Sequence, residues 1–283
     1  MKQVLNLFKL RIGVAIAFAA AAGLVVERGS APSLARAAVL VLAVLVASAA
    51  AGAFNQYVER DLDARMARTR GRPFVTGALR HGPFWLWLIG AMTGASVLAA
   101  AVAANVPAAI YVFLGAFTYG VVYTVWLKRR TWWNIVVGGL AGSFAVLAGA
   151  AAVSPVPGPE ALALAVVLFL WTPPHFWSLA IACREDYAAA GVPMLPVVVG
   201  DARAARAIFT GAVLLVGASL LPAAFGLGWI YLAAALSGGA WFLLKCRILL
   251  ERPGRETALA NFRASLVQLC AVLLGAMLDV ALL

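Results

Sequence analysis

The chain has 283 residues, of which 64% are hydrophobic and only 12% charged, and its mean hydropathy is +0.97. That balance excludes a soluble domain, which needs far more polar surface to cover a core of this size; at ~20 residues per crossing there is room for about nine membrane helices. The net charge of +11 raises the question of nucleic acid, which depends on where the basic residues fall, and three widely spaced cysteines (Cys183, Cys246, Cys270) support neither a disulfide framework nor a CxxC metal site.

In chain order, the apolar stretches and their breakers predict helices over 8–26, 35–55, 83–103, 107–126, 133–153, 161–182, 204–224, 229–248 and 263–283. The breaks carry loop chemistry: Glu27-Arg28-Gly29-Ser30, Asn105-Val106-Pro107, the proline-rich stretch from Ser154 to Pro159, and Gly226-Leu227-Gly228. Lys2, Lys9 and Arg11 fall on the side of the N-terminus. So do every later Lys and Arg except Arg28 and Arg36, once the loops are assigned alternately. This asymmetry fits a nine-span topology with that side in the cytoplasm. The expectation is an all-α polytopic bundle, one domain over 1–283, in a bacterial inner membrane, with the N-terminus cytoplasmic and the C-terminus outside. The basic excess then reports orientation, with phosphate binding as a second use, and nucleic acid is set aside. The first apolar run also resembles a signal peptide, with Ala-x-Ala sequences near Ala20 and Ala22, but the loop charges alternate only if this helix is retained.

The segment from Asn55 to Pro73, at the cytoplasmic end of the second span, is the most informative. Residues four apart on a helix are offset by only ~40°, so Asn55, Glu59 and Asp63 form one oxygen-bearing stripe, with Asp61 pointing elsewhere. Two carboxylates and an amide oxygen are hard ligands suited to Mg²⁺, which takes one or two carboxylates and completes its shell with water and substrate phosphate oxygens. Arg68 and Arg72, also four apart, offer a fork for a diphosphate. The plainer reading is a solvated helix end; against it, carboxylates beside an Ala-rich span are costly unless they serve a site.

Two further cytoplasmic clusters follow. Tyr123 to Thr131 holds Lys128, Arg129 and Arg130, either a topology anchor or a cationic contact for diphosphate. Trp171-Thr172-Pro173-Pro174-His175-Phe176-Trp177 precedes Arg184-Glu185-Asp186-Tyr187 and Gly191 to Pro196. The two prolines are expected to break the helical ladder where backbone lines a cavity. His175, among aromatics, is either a packed residue or a ligand. Glu185 and Asp186 either complete an acidic mouth or are solvated. His81 and the cysteines have no partners at metal spacing and are read as structural.

Taken in order, these segments resemble the intramembrane prenyltransferases related to 4-hydroxybenzoate polyprenyltransferase. The superfamily pattern Asn-x-x-x-acid-x-x-x-acid falls on Asn55, Glu59 and Asp63, with Arg60, Arg68, Arg72 and Pro73 in place. WTPPHFW from Trp171, REDY from Arg184 and AGVPMLPVV from Ala190 look like the heme-farnesylating branch, and the likeness runs from about Phe8 to Asp279. Glu59 stands where many members carry Asp, and Cys183 and Tyr187 where the quinone branch has acids. The resemblance implies a helical bundle around a central cavity open toward the cytoplasm, and transfer of farnesyl from farnesyl diphosphate to a heme B vinyl group with water addition, giving heme O. It implies Mg²⁺ on Asn55, Glu59 and Asp63, with the diphosphate met by Arg68, Arg72 and Lys128. Substrate contacts fall on His175, Arg60, Arg129, Arg184, Glu185 and Asp186, and membrane lipid surrounds the whole. A heme-pathway or oxidase-assembly partner is not readable. The rivals are prenylation of an aromatic quinone precursor and, from another class, an ion-coupled transporter; the latter is disfavoured because the acids cluster at one face and no inverted repeat is evident.

Overall fold

The computed structural model describes residues 2–283 and contains helices and turns, with no strand among the described residues. The side chain of Lys2, counted above with the basic residues, lies outside the described residues. Nine apolar helices make up the bundle: α1 Leu10–Val26, α2 Leu34–Val58, α3 Pro83–Ala103, α4 Val106–Phe117, α5 Leu140–Ala151, α6 Pro159–Ala182, α7 Asp201–Ala218, α8 Trp229–Glu251 and α9 Arg255–Leu282. Eight segments are long and apolar enough to cross a membrane and α1 is shorter; the chain is an integral membrane protein. Alanine-rich sequence suits helix formation, and the starts are marked by Pro at the first turn of α3, α4 and α6, and by the Asn105 side chain accepting from Ala108 N at 2.9 Å.

Each helix packs on the next, and α9 returns to α1, so the sequence order closes into a ring. The most extensive contacts across it are α1 on α5 and α6 on α9. The first is possible only because of glycine. A Cβ on Gly23 would run into the Val146 backbone, and one on Gly149 into the Ala20 backbone, so the two helices approach through reciprocal small residues. Because successive helices alternate in direction, the N-terminus and the connections after α2, α4, α6 and α8 gather at one end. That end carries the short helices Lys2–Leu7, Arg60–Arg65, Pro73–Thr76, Arg184–Ala189 and Leu195–Val199.

Three expectations change. Pro173 and Pro174 do not end α6, which runs unbroken through Ala182; the two N–H donors they lack would have met the Phe169 and Leu170 carbonyls, but both prolines are buried in the bundle and packing keeps the helix in one piece. The predicted fourth span winds as a π-helix over Thr118–Leu127. The last helix starts at Arg255 rather than 263, because polar Asn261 and Ser265 are buried against α6 rather than exposed in a loop.

Candidate active site

Helix α2 ends at Val58, with Glu59 off helical geometry (φ −91°, ψ 14°) before Arg60–Arg65 begins. The oxygen stripe is therefore not one continuous helix. It survives because the i to i−4 bonds persist across the break, Glu59 N to Asn55 O at 3.0 Å and Asp63 N to Glu59 O at 2.8 Å. All three side chains are buried, at 1%, 0% and 0% exposure for Asn55, Glu59 and Asp63. Arg60, Asp61 and Ala64 instead line an outward cleft with Tyr57, Val58, Val75 and His81.

Two carboxylates without water need cations, and three converge on them. Lys128 Nζ donates to Glu59 Oε2 at 2.5 Å, and Arg72 Nη1 bonds both Asp63 oxygens at 2.7 and 2.6 Å. Lys9 Nζ donates to Asn55 Oδ1 at 2.6 Å and to the Tyr119 hydroxyl at 3.0 Å. Lys9 adopts a left-handed backbone (φ 48°) between the Lys2–Leu7 helix and α1, a conformation L-residues rarely hold, and the turn carries its amine into the cluster. Burial, with Arg72 and Lys128 nearby, pulls that amine down to about 7. Burial also raises the Asp63 carboxyl above its ordinary value, with the Arg72 pairing pulling the other way.

The π-helix explains how Lys128 arrives. Its backbone follows the i to i−5 pattern, Lys128 N to Tyr123 O at 2.9 Å. At roughly 4.4 residues per π-turn, the nine-residue step from Tyr119 to Lys128 closes to within about 20°; α-helical winding would place them about 180° apart. Tyr119, Tyr123, Thr124 and Lys128 consequently share one face, where Thr124 accepts from Asn55 Nδ2 at 3.0 Å. Sequence reasoning placed Lys128 but missed Lys9, Tyr119 and Thr124.

Other expected residues sit around this cluster. Asp186 accepts the backbone N–H groups of Ala67 and Arg68 at 3.0 and 3.2 Å, and Arg68 Nη2 reaches the Tyr187 hydroxyl at 3.3 Å, so the loop after Asp63 is fastened to the Arg184–Ala189 helix. Arg129 forks onto Asp61 with two 2.8 Å bonds and pulls that carboxyl below its ordinary value. Arg184 pairs with Asp201 at 3.5 Å. Arg60 and Glu185 are exposed. Arg60, Arg129, Arg184 and Glu185 make no hydrogen bond to Asn55, Glu59 or Asp63 among the described residues. His175 lies buried on α6, stacked between Trp171 and Phe262 at ring separations of 4.0 and 4.2 Å.

Glu59 Oε1 is buried and has no hydrogen-bond partner among the described residues. An orphaned carboxylate oxygen is costly, and here it lies beside a second carboxylate and an amide oxygen. Such a set fits a hard cation.

Residues 16–267 match the UbiA prenyltransferase family. The chain belongs to the UbiA prenyltransferase family. It is 57% identical over 279 residues to protoheme IX farnesyltransferase 2 of Paramagnetospirillum magneticum, covering 99% of this chain and 97% of that protein. Two solved structures share the fold: a digeranylgeranylglyceryl phosphate synthase (TM-score 0.81, 17% identity, 100% and 99% of the two chains) and a UbiA homolog from Archaeoglobus fulgidus bound to DMAPP and Mg²⁺ (TM-score 0.73, 16% identity, 99% and 100%). The family is thus reached independently by the ordered motifs and by the family match, and the UbiA fold by the helical ring.

Proposed function

We propose that this member of the UbiA prenyltransferase family transfers a farnesyl group from farnesyl diphosphate to a vinyl group of heme B, with addition of water, giving heme O and diphosphate. The observation that carries this reading is the 57% identity, over nearly the whole chain, to a protoheme IX farnesyltransferase. The buried acid and cation cluster supports it, because it provides the chemistry needed to ionise an allylic diphosphate.

In this reading the whole chain is one domain in a bacterial inner membrane, with the cluster and N-terminus at the cytoplasmic face and the C-terminus outside. Asn55, Glu59 and Asp63 would hold Mg²⁺. When bound, Mg²⁺ supplies positive charge to the departing diphosphate oxygens. Arg72 and Lys128 are freed from the carboxylates, and Lys9 from the Asn55 amide oxygen, to meet the diphosphate, and Arg68 stands at the rim with its guanidinium reachable from solvent. Charge that develops on the leaving group is met by donors fixed in advance, which lowers the barrier more than donors that must reorganise. The farnesyl tail and the porphyrin are apolar and partition into the bundle, which keeps bulk water from the allylic cation until the heme vinyl carbon attacks it. Water then captures the cation formed beside the porphyrin ring. His175, in its aromatic slot, faces the heme.

Purified protein with Mg²⁺ should convert heme B and farnesyl diphosphate to heme O. If heme B is left untouched while an aromatic acid is prenylated, the heme assignment fails and the family's general reaction remains. Asp63→Ala should abolish turnover while the protein still inserts in the membrane; an unimpaired variant would remove the metal from this account.

A further inference from the structure

Ser265, on α9, makes two short contacts that together fix a proton. Its Oγ donates to the Phe262 carbonyl at 2.7 Å, and His175 Nδ1 lies 2.7 Å from the same Oγ. A serine hydroxyl has one hydrogen and a carbonyl can only accept. With that hydrogen committed to Phe262, the hydroxyl can only accept from His175, so Nδ1 carries the ring proton. No acidic side chain hydrogen-bonds the ring among the described residues, and an aromatic slot offers an imidazolium no partner. In the neutral ring the other nitrogen, Nε2, is then a bare lone pair.

The surroundings hold that nitrogen in one place. Trp171 and Phe262 clamp the imidazole from both faces at interplanar angles of 21° and 26°, and Phe176 meets it edge-on at 4.9 Å. Trp171 is itself tied to α9 by its Nε1 donating to the Ser265 carbonyl at 2.7 Å. Stacking fixes the ring plane; only the Ser265 hydroxyl distinguishes the ring from its flipped form. His175 Nε2 makes no hydrogen bond among the described residues, and it is not one of the sealed polar atoms, as Trp177 Nε1 is.

We infer that Ser265 is a positioning residue: it holds His175 as the Nδ1–H tautomer so that the Nε2 lone pair is presented, between aromatic walls, to the metal centre of a flat tetrapyrrole. This rests on the reading of heme B as substrate, and it assigns the role to a serine that touches neither heme nor diphosphate.

The chain has two histidines, His81 and His175, so nitrogen NMR of protein labelled only at histidine gives two imidazoles, assigned by His81→Asn. Without heme, His175 should appear as a single Nδ1–H species; Ser265→Ala should lose that preference and Ser265→Thr, which keeps the hydroxyl, should restore it. An Nε2–H ring in the parent protein, or an unchanged Nδ1–H ring in Ser265→Ala, overturns the inference. Heme B titration follows: Ser265→Ala should bind about 10- to 100-fold more weakly, the range found when the partner orienting a metal-binding histidine is removed. It should also lose the ferrous iron–histidine vibration, while inorganic diphosphate binds as before. Unchanged heme affinity and vibration in Ser265→Ala overturn the proposal even if turnover is intact. If the parent protein neither binds nor converts heme B, the functional reading falls with it, and the NMR result then reports only how the ring is held.

Discussion

Arg72→Met tests the electrostatics of the cluster, because Arg72 is, among the described residues, the only side chain hydrogen-bonded to the fully buried Asp63 carboxylate. Removing one partner of a buried ion pair costs about 3–5 kcal/mol. The carboxylate can escape by taking up a proton, which limits the loss to about 1.36 kcal/mol per pH unit above the ordinary value. With that value at 3.8, the ceiling is roughly 4.4 kcal/mol at pH 7 and roughly 1.6 kcal/mol at pH 5. The sign follows from burial, which already raises Asp63 and would raise it further without Arg72. A group raised in the folded state lends stability fully below its unfolded value and loses it as pH climbs toward the folded one. The variant should therefore lose more relative to the parent at pH 7 than at pH 5. At about 2–4 °C per kcal/mol, a loss of ~3 kcal/mol lowers the melting temperature by roughly 6–12 °C at pH 7, and by no more than roughly 3–6 °C at pH 5. The assay is thermal unfolding in detergent with chelator present, and Asp63→Asn added to Arg72→Met should recover most of the loss. A drop that is equal at the two pH values, or under about 2 °C at pH 7, would refute the buried-pair reasoning.

Lys9→Met should leave the fold at least as stable, since it removes a desolvated amine and a strained ion's demand for partners, yet weaken inorganic diphosphate binding about tenfold, as expected for one charge-assisted contact of ~1.4 kcal/mol; equal binding by calorimetry would return Lys9 to a topology role. Gly149→Ala should cost about 2–3 kcal/mol or more by overpacking α1 against α5, seen as a lower melting temperature and poor yield, whereas Gly90→Ala, where an added methyl meets nothing, should be silent. Chelating divalent cations should stop turnover reversibly, and Mg²⁺ titrated alone should bind more weakly than Mg²⁺ titrated with inorganic diphosphate present; equal affinities would contradict the charge balance of the site.

Much of this was readable because membrane helices announce themselves. The nine apolar runs are visible in composition alone, and residues four apart remain neighbours even across the interruption at Glu59, so the oxygen stripe was legible. What was hidden depended on geometry with no periodic signal. Lys9 looked like a topology charge, since nothing in sequence tells a left-handed turn from a helical one at a lysine. Tyr119 was lost because α-helical spacing sends it to the far side from Lys128, and only π winding brings it back; Thr124 shares the face of Lys128 under either winding, but an uncharged hydroxyl gives no signal of a site. Ser265 fell near the edge of a predicted span because polar residues in the first turns of α9 lowered its apolar signal, although Asn261 and Ser265 among them are buried against α6. The Pro173-Pro174 pair misled in the opposite direction: the lost ladder bonds were real, but packing kept the helix intact.

The charge arithmetic of the cluster shapes how the site must work. Lys9, Arg72 and Lys128 stand against Glu59 and Asp63, so with all three cations protonated the side chains of the site sum to a net positive charge. A bare divalent cation entering it has to displace ammonium and guanidinium groups already at hydrogen-bonding distance and is repelled by those it does not displace. A diphosphate entering alone is attracted, but meets Arg72 and Lys128 committed to carboxylates and Lys9 committed to Asn55. Entering together, the two resolve the conflict: the carboxylates and the orphaned Glu59 oxygen turn to the metal, and the released cations turn to the phosphate oxygens. Arg72 and Lys128, which keep two buried carboxylates stable, thereby become donors for the leaving group. The cluster therefore needs no separate set of residues for stability and for chemistry, and a single substitution such as Arg72→Met should injure both.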